Sequence, residues 1–152
     1  MLKIGIVQNT KNNCKENNRP KGPTSFCAFE RTLIGFKPDA FEKKIVEELT
    51  EKLINKTGLK LAEEWEGIPD TAKMENHYAV HKGKSFFENL INYVTRVKFK
   101  AFVLEGENAV EKARIAALEL RQEYDVAGKS ENLIHSSDSV ENASGEILNF
   151  FS

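Results

Sequence analysis

The apolar positions of this chain come in short runs divided by polar stretches of helical period. "RTLIGF", Arg31 to Phe36, is an apolar run of strand length that Pro38 stops. Asp39 can then cap a helix, with Glu42 completing a capping box, and Phe41, Ile45, Leu49 and Leu53 recur at helical spacing up to a natural stop at Gly58. "LKLAEEWEGIP" from Leu59 alternates as a strand does, and Pro69 and Asp70 restart helix-like sequence that runs through Tyr78 and again from Ser85 to Tyr93. "KAFVLEG", Lys100 to Gly106, is a second buried strand, and "NAVEKARIAALELRQEY" from Asn108 is the strongest helix in the chain. A last short strand is expected over Asn132 to Ile134, feeding a helix from Ser139 to Phe151. Strands and helices in this order predict an α/β sandwich, with helices on one or both faces of a small sheet.

The beginning of the chain departs from this rhythm. After a strand-like "LKIGIV" at Leu2 to Val7, residues 8 to 28 are rich in Asn, Lys, Pro and Gly, with little to bury, and read as a polar extension. The compact domain is expected over 29–152. With 152 residues, 40% of them hydrophobic, there is enough chain for one real core. Lys and Arg number 22 against 23 acids, a net charge of -1, which supplies no basic field for nucleic acid. An anionic ligand must therefore meet a local cluster. The opening apolar run is broken by Lys3 and is far shorter than a membrane span, so a cytoplasmic protein is expected. Cys14 and Cys27 have no histidine at ligand spacing and read as free thiols.

The candidate chemistry centres on "NLIHSSDSVE", Asn132 to Glu141. His135 follows two aliphatic residues at the expected junction of strand and helix, where rigid elements fix a side chain's direction. Free imidazole titrates near 6.5, so close to neutral pH a ring nitrogen is available to attack phosphorus. Ser137 and Glu146 can fold back toward the ring, giving nucleophile, hydroxyl and carboxylate. Equally, Ser137, Asp138 and Ser139 can serve only as caps, with Asp138 and Glu141 as a capping box, and local sequence leaves both readings open. Arg114 and Arg121 lie seven residues apart, two turns or about 10.5 Å along one helix face, where they can meet one polyphosphate or pair with Glu111, Glu119 or Glu123. Lys37, held extended before Pro38, can aim its ammonium into a cleft. Of the pair Phe86-Phe87, composition favours both rings in the core; if one is exposed instead, a base could stack on it.

Four segments in order, "ERTLIGFKPDA", "HYAVHKGKSFF", "EGENAVEKAR" and "NLIHSSDSVENASGEI", resemble the nucleoside diphosphate kinase family from Glu30 to Phe151. The last is close to that family's active-site signature. The resemblance implies a ferredoxin-like α+β fold, with a four-stranded antiparallel sheet and surrounding helices. It implies phosphate transfer between nucleoside tri- and diphosphates through a phosphohistidine at His135, with Mg2+ held mainly by the nucleotide phosphates. By motif position, Lys37, Tyr78, Phe86, Arg114, Arg121, Asn132, Ser137 and Glu146 align with substrate and catalytic residues. Phe86 would stack on the base, Lys37 and Asn132 would hold the ribose, and the arginines would take the phosphates.

The chain departs from the family pattern in three places. Ala40, Lys44 and Glu47 stand where the family often has glycines, a phosphate-binding threonine has no counterpart, and the segment between Arg114 and Asn132 is several residues shorter, so most of the family's Kpn loop is missing. That loop contributes to contacts among dimers, so a homodimer is expected in place of the family's usual hexamer. The competing expectation is a nucleotide-binding or regulatory module with the kinase fold and weak or no turnover.

Overall fold

The computed structural model describes residues 28–152. The strand expected at Leu2 to Val7, the two cysteines and nearly all of the polar extension lie outside these residues.

Four strands form one antiparallel sheet in the order β2-β3-β1-β4. They are β1 (Phe29–Phe36), β2 (Lys60–Gly67), β3 (Phe99–Glu107) and β4 (Ile134–Ser136). The chain passes through α1 (Pro38–Glu42) and α2 (Val46–Thr57) before β2. It then passes through α3 (Thr71–His77), a short 3-10 turn (Ala79–His81) and α4 (Phe87–Val94) before β3; α5 (Ala109–Glu123) precedes β4 and α6 (Val140–Phe151) follows it. This is the ferredoxin-like arrangement, and helices cover both faces. Under one face Leu49, Leu53, Ala113, Ala117 and Leu120 of α2 and α5 meet Ile34, Phe36, Phe102 and Leu104 of the sheet. Under the other, Met74, Ile91, Val94 and Phe150 of α3, α4 and α6 meet Leu33, Phe99 and Ala101. Alternation along β1 and β3 divides Ile34 from Leu33 and Phe102 from Ala101, because successive side chains point to opposite faces. Each large side chain fully withdrawn from water contributes about 1.5–3 kcal/mol, and strands buried on both faces read as the continuous apolar runs seen in the sequence.

Several boundaries differ from expectation, each for a local reason. The single helix from Asp39 to Thr57 is two, separated where Lys44 takes a left-handed backbone (φ 57°). Asp39 does not cap it: the residue is inside α1, with its carboxylate turned into the protein onto the Leu133 N–H and the Tyr93 hydroxyl. Glu42 completes no capping box and pairs instead with Arg96 at 2.9 Å. The last strand sits two residues later than its apolar pattern suggests. Asn132 and Leu133 belong to the approach, with Leu133 left-handed (φ 69°), so His135 is inside β4 and not beyond its end. Other expectations hold. Gly58 ends α2 in the left-handed conformation, Asp70 caps α3 by accepting from the Lys73 N–H at 2.7 Å, and α5 starts directly after Asn108.

Candidate active site

The site is built where the end of β1 meets β4. Lys37 leaves β1 extended (φ -81°, ψ 166°), as a residue before proline must. Its backbone N–H donates to the Leu133 carbonyl at 2.8 Å. Two residues on, the Asp39 carboxylate accepts the Leu133 N–H at 2.9 Å and, at its other oxygen, the Tyr93 hydroxyl. The Lys-Pro-Asp turn thus grips both backbone groups of Leu133, the residue whose positive φ sets the entry to β4. A non-glycine residue in this region persists only where its surroundings hold it there. The same turn places the Lys37 ammonium 2.8 Å from Asn132 Oδ1, to which it donates.

Within β4, His135 lies opposite Gly35 of β1. A methyl at position 35 would stand 2.5 Å from the tip of the Phe99 ring and 3.4 Å from His135 Cβ, so glycine there leaves room for both rings. On the following helix, Glu146 reaches back with Oε1 3.1 Å from His135 Nε2. Its other oxygen accepts the Ser137 hydroxyl proton in a close hydrogen bond. Ser137 is fully buried, and its oxygen accepts the Leu33 N–H of β1 at 3.1 Å. The result is a relay from β1 backbone through Ser137 and Glu146 to the imidazole. A carboxylate at Nε2 favours the tautomer with the proton on that nitrogen, which leaves the Nδ1 lone pair free. Capping falls to Ser139, which accepts the Asn142 N–H at 3.1 Å, while Asp138 accepts from the Asn142 side chain at 2.6 Å. The capping box expected between Asp138 and Glu141 is therefore replaced by this pair, and Ser137 has a different task.

Positive charge converges on this ring. Lys37 is buried, and its pKa is lowered from the ordinary 10.5 to about 8, first by burial and then by Arg121, with Asp39 acting against them. Arg121 donates through Nη2 to the Ile134 carbonyl, next to His135, and its own pKa is lowered by burial and by Arg114. Two of the acids that could have claimed the arginines are engaged elsewhere. Glu119 pairs with Lys56 at 3.1 Å, and Glu123 pairs with Lys52. Arg114 is exposed on α5, and an open groove of about 510 Å³ continues past it and Asp138. Tyr78 is buried with its pKa pushed up, chiefly by burial and secondarily by Glu146. Its ring centroid is 6.1 Å from that of His135, and its hydroxyl has no hydrogen-bond partner among the described residues. Phe86 is 47% exposed while Phe87 packs against the core, so the reading that composition favours, with both rings in the core, does not hold for Phe86.

One neighbour escaped the sequence reading. His77, the last residue of α3, is buried with its ring edge-on to His135 at 4.4 Å. Burial, then His135 and Lys37, hold its pKa well below the usual histidine value. In sequence it reads only as the residue before Tyr78; its nearness to residue 135 is a product of α3 packing on α6.

A partly buried histidine steadied by carboxylate and serine, with a lysine and two arginines around it, is the equipment of a phosphoryl-transfer enzyme that works through the imidazole. The chain belongs to the nucleoside diphosphate kinase family, whose family model, described as nucleoside diphosphate kinase, matches residues 30–152. It is 36% identical over 132 residues to the nucleoside diphosphate kinase of Thermoplasma acidophilum, covering 80% of this chain and 88% of that one. It is 39% identical over 132 residues to that of Listeria monocytogenes serotype 4a, with the same coverage. The crystal structure of the Aquifex aeolicus nucleoside diphosphate kinase superposes with a TM-score of 0.71 at 30% identity, over 82% of this chain and 96% of that one. The apo enzyme from Encephalitozoon cuniculi gives 0.72 at 30% identity, over 80% and 88%. Members of the family carry the terminal phosphate of a nucleoside triphosphate to a nucleoside diphosphate through a phosphohistidine, and this membership favours the enzyme over a regulatory module. Among the described residues no helix is long and apolar enough to cross a membrane.

Proposed function

We propose that His135 is the residue that carries the phosphate. Its Nδ1 lone pair attacks the terminal phosphorus of a nucleoside triphosphate in line with the bridging oxygen. The N–P bond forms, the P–O bond breaks, and the nucleoside diphosphate leaves with the electron pair. A second diphosphate then reverses the step, its terminal oxygen taking the phosphoryl group from nitrogen. Glu146 supports the positive charge that develops on the ring and Ser137 fixes Glu146, so the imidazole does not rotate. Arg114 and Arg121 bind the phosphates, and Tyr78 and Lys37 face the transferred group. Lys37 and Asn132 also hold the ribose hydroxyls, and Phe86 offers a stacking face that accepts any base.

Magnesium, when bound, neutralises phosphate oxygens and favours their charge in the transition state. Among the described residues, the ligand atoms that gather within 4.8 Å at the site come from His77, His135 and Glu146 and are mostly imidazole. Magnesium prefers oxygen, so the chemistry of this donor set fits an ion held by the nucleotide phosphates and not by a protein cage.

The observation that carries the reading is the His135–Glu146–Ser137 relay beside the buried Lys37. Incubation with triphosphate labelled at its terminal phosphate tests it. The wild type should take an acid-labile label that a diphosphate removes, and His135→Ala should take none. Ordinary exchange by His135→Ala, free of host enzyme, would overturn the assignment. We further propose a cytoplasmic homodimer that binds no specific nucleic acid, with residues 1–28 as an extension outside the kinase-like domain at 29–152. The shortened segment after Arg114 supports the dimer, because a two-fold contact needs only one self-complementary patch. Light scattering at micromolar concentration checks it, and a hexamer that survives dilution would refute it.

A further inference from the structure

We propose that His77, His135 and Glu146 form a site for a borderline transition-metal ion, with zinc as its representative, and that metal there holds the enzyme off. The motive is an unpaid cost. His77 is 91% buried, since only 9% of its surface is exposed, and neither ring nitrogen has a hydrogen-bond partner among the described residues. Burying a polar group without a partner is unfavourable by about 1–3 kcal/mol on mutational scales, and phenylalanine would fill the same space against Phe99 and Phe150. An imidazole is the better residue only where a lone pair finds something to bind.

The surroundings supply that something. One donor atom each from His77, His135 and Glu146 lie within 4.8 Å of one another, and the His135 Nε2 to Glu146 Oε1 pair is already at 3.1 Å. Zinc bonds of about 2.0–2.2 Å at tetrahedral angles put ligand atoms about 3.3 Å apart. To reach that spacing the ligand atoms must draw together by up to about 1.5 Å, from 4.8 to about 3.3 Å. Two imidazoles and a carboxylate are a recurrent zinc set that leaves a fourth position open, and they do not suit magnesium. Lys37 and Arg121 oppose a cation here, which points to a reversible ligand and not to a permanent structural ion.

Exclusion of phosphate follows from the chemistry of imidazole. A neutral ring has one pyridine-type lone pair, and if metal takes it the other nitrogen bears the proton. His135 then has no lone pair for phosphorus. This blocking effect rests on His135 being the nucleophile, whereas metal binding itself rests only on the geometry.

The chain has three histidines, and the third, His81, faces Lys84 at 3.2 Å in an exposed turn. Zinc is therefore titrated into nucleotide-free, full-length protein while the histidine ring signals are followed by NMR. One equivalent should move the ring nitrogens of His77 and His135 and leave those of His81 in place. His77→Phe should weaken binding by more than about tenfold. Zinc-loaded protein should not accept label in a single turnover until a chelator is added. Movement of His81 alone, no movement, or undiminished binding in His77→Phe would overturn the metal site. Phosphate uptake while both rings remain metal-shifted would overturn the blocking. If the unloaded wild type takes no label at all, the nucleophile assignment has failed, and the ring signals still decide the metal site.

Discussion

Asp39→Ala is expected to destabilise this protein strongly. Asp39 is 3% exposed, and its carboxylate accepts the Leu133 N–H at 2.9 Å and the Tyr93 hydroxyl. Alanine leaves a buried backbone donor and a buried phenol without partners, at about 1–3 kcal/mol each. The sum, about 4 kcal/mol, is a large part of the 5–15 kcal/mol that ordinarily separates folded from unfolded chains. For a domain of this size it corresponds to a fall in Tm of roughly 10–20 °C. Activity should fall as well, because Leu133 is held left-handed between Asp39 and the Lys37 backbone, and its release lets Asn132 and His135 drift. Asp39→Asn separates the two bonds. Its amide oxygen still accepts from Leu133, while its NH2 group must face Tyr93, so it should lose about half as much. The assay is urea unfolding of both variants and of Tyr93→Phe, with the double mutant closing the cycle. A coupling of about 1–3 kcal/mol between positions 39 and 93 is expected. If Asp39→Ala costs less than about 1 kcal/mol, the clamp on Leu133 is not what holds the approach to β4.

Lys37→Met should stabilise the fold at pH 7 while removing activity. Depression of the lysine pKa from 10.5 to about 8 corresponds to about 3 kcal/mol of strain on the charged form, offset by about 1 kcal/mol for the orphaned Asn132 oxygen. Because the folded pKa is the lower one, wild-type stability rises between about pH 8 and 10.5. The advantage of the methionine variant should therefore shrink over that window in urea titrations; an advantage that grows with pH would contradict the burial of a charged amine. Gly35→Ala should cost about 1–3 kcal/mol by forcing Phe99 from its place and should lower kcat through His135; thermal melts and steady-state rates check both, and a neutral variant would show that the pocket yields freely. Phe86→Ala should raise KM about 5- to 150-fold for all bases alike, the equivalent of about 1–3 kcal/mol of stacking, and a loss confined to one base would point to edge recognition.

The strands β1 and β3 were legible as continuous apolar runs and the helix α5 by its composition, each with a clear boundary. Where the reading slipped, a long-range partner had taken over a local signal. Asp39 and Glu42 look like a capping box, yet Tyr93 and Arg96, distant in sequence, claim them. The apolar pair Leu133-Ile134 suggests a strand ending before His135, but pairing to β1 begins only at Ile134 because Leu133 turns to meet Asp39. Ser137 read locally as a cap because its contact with Leu33 spans the length of the domain. The site itself was recovered through motif resemblance far more than through pattern. His77 was missed for the same reason that Ser137 was ambiguous: neither has a neighbour in sequence that announces its neighbour in space.

The short strand β4 has a consequence for the order in which this protein comes into being. Lys37 and Asp39 are synthesised early, but the residues that complete them, Asn132 and Leu133, are 95 and 94 positions later, and Glu146 follows later still. A ribosome-bound chain can collapse β1, α2, β2 and β3 around Leu33, Ile34 and Phe102 while the buried ammonium and carboxylate of the turn have nothing to meet. Contacts of such separation close late and slowly. The capacity to hold phosphate should therefore arise only in the final moments of folding. Phosphohistidine formation on stalled chains of increasing length would then serve as a clock for completion, silent until α6 has cleared the exit tunnel.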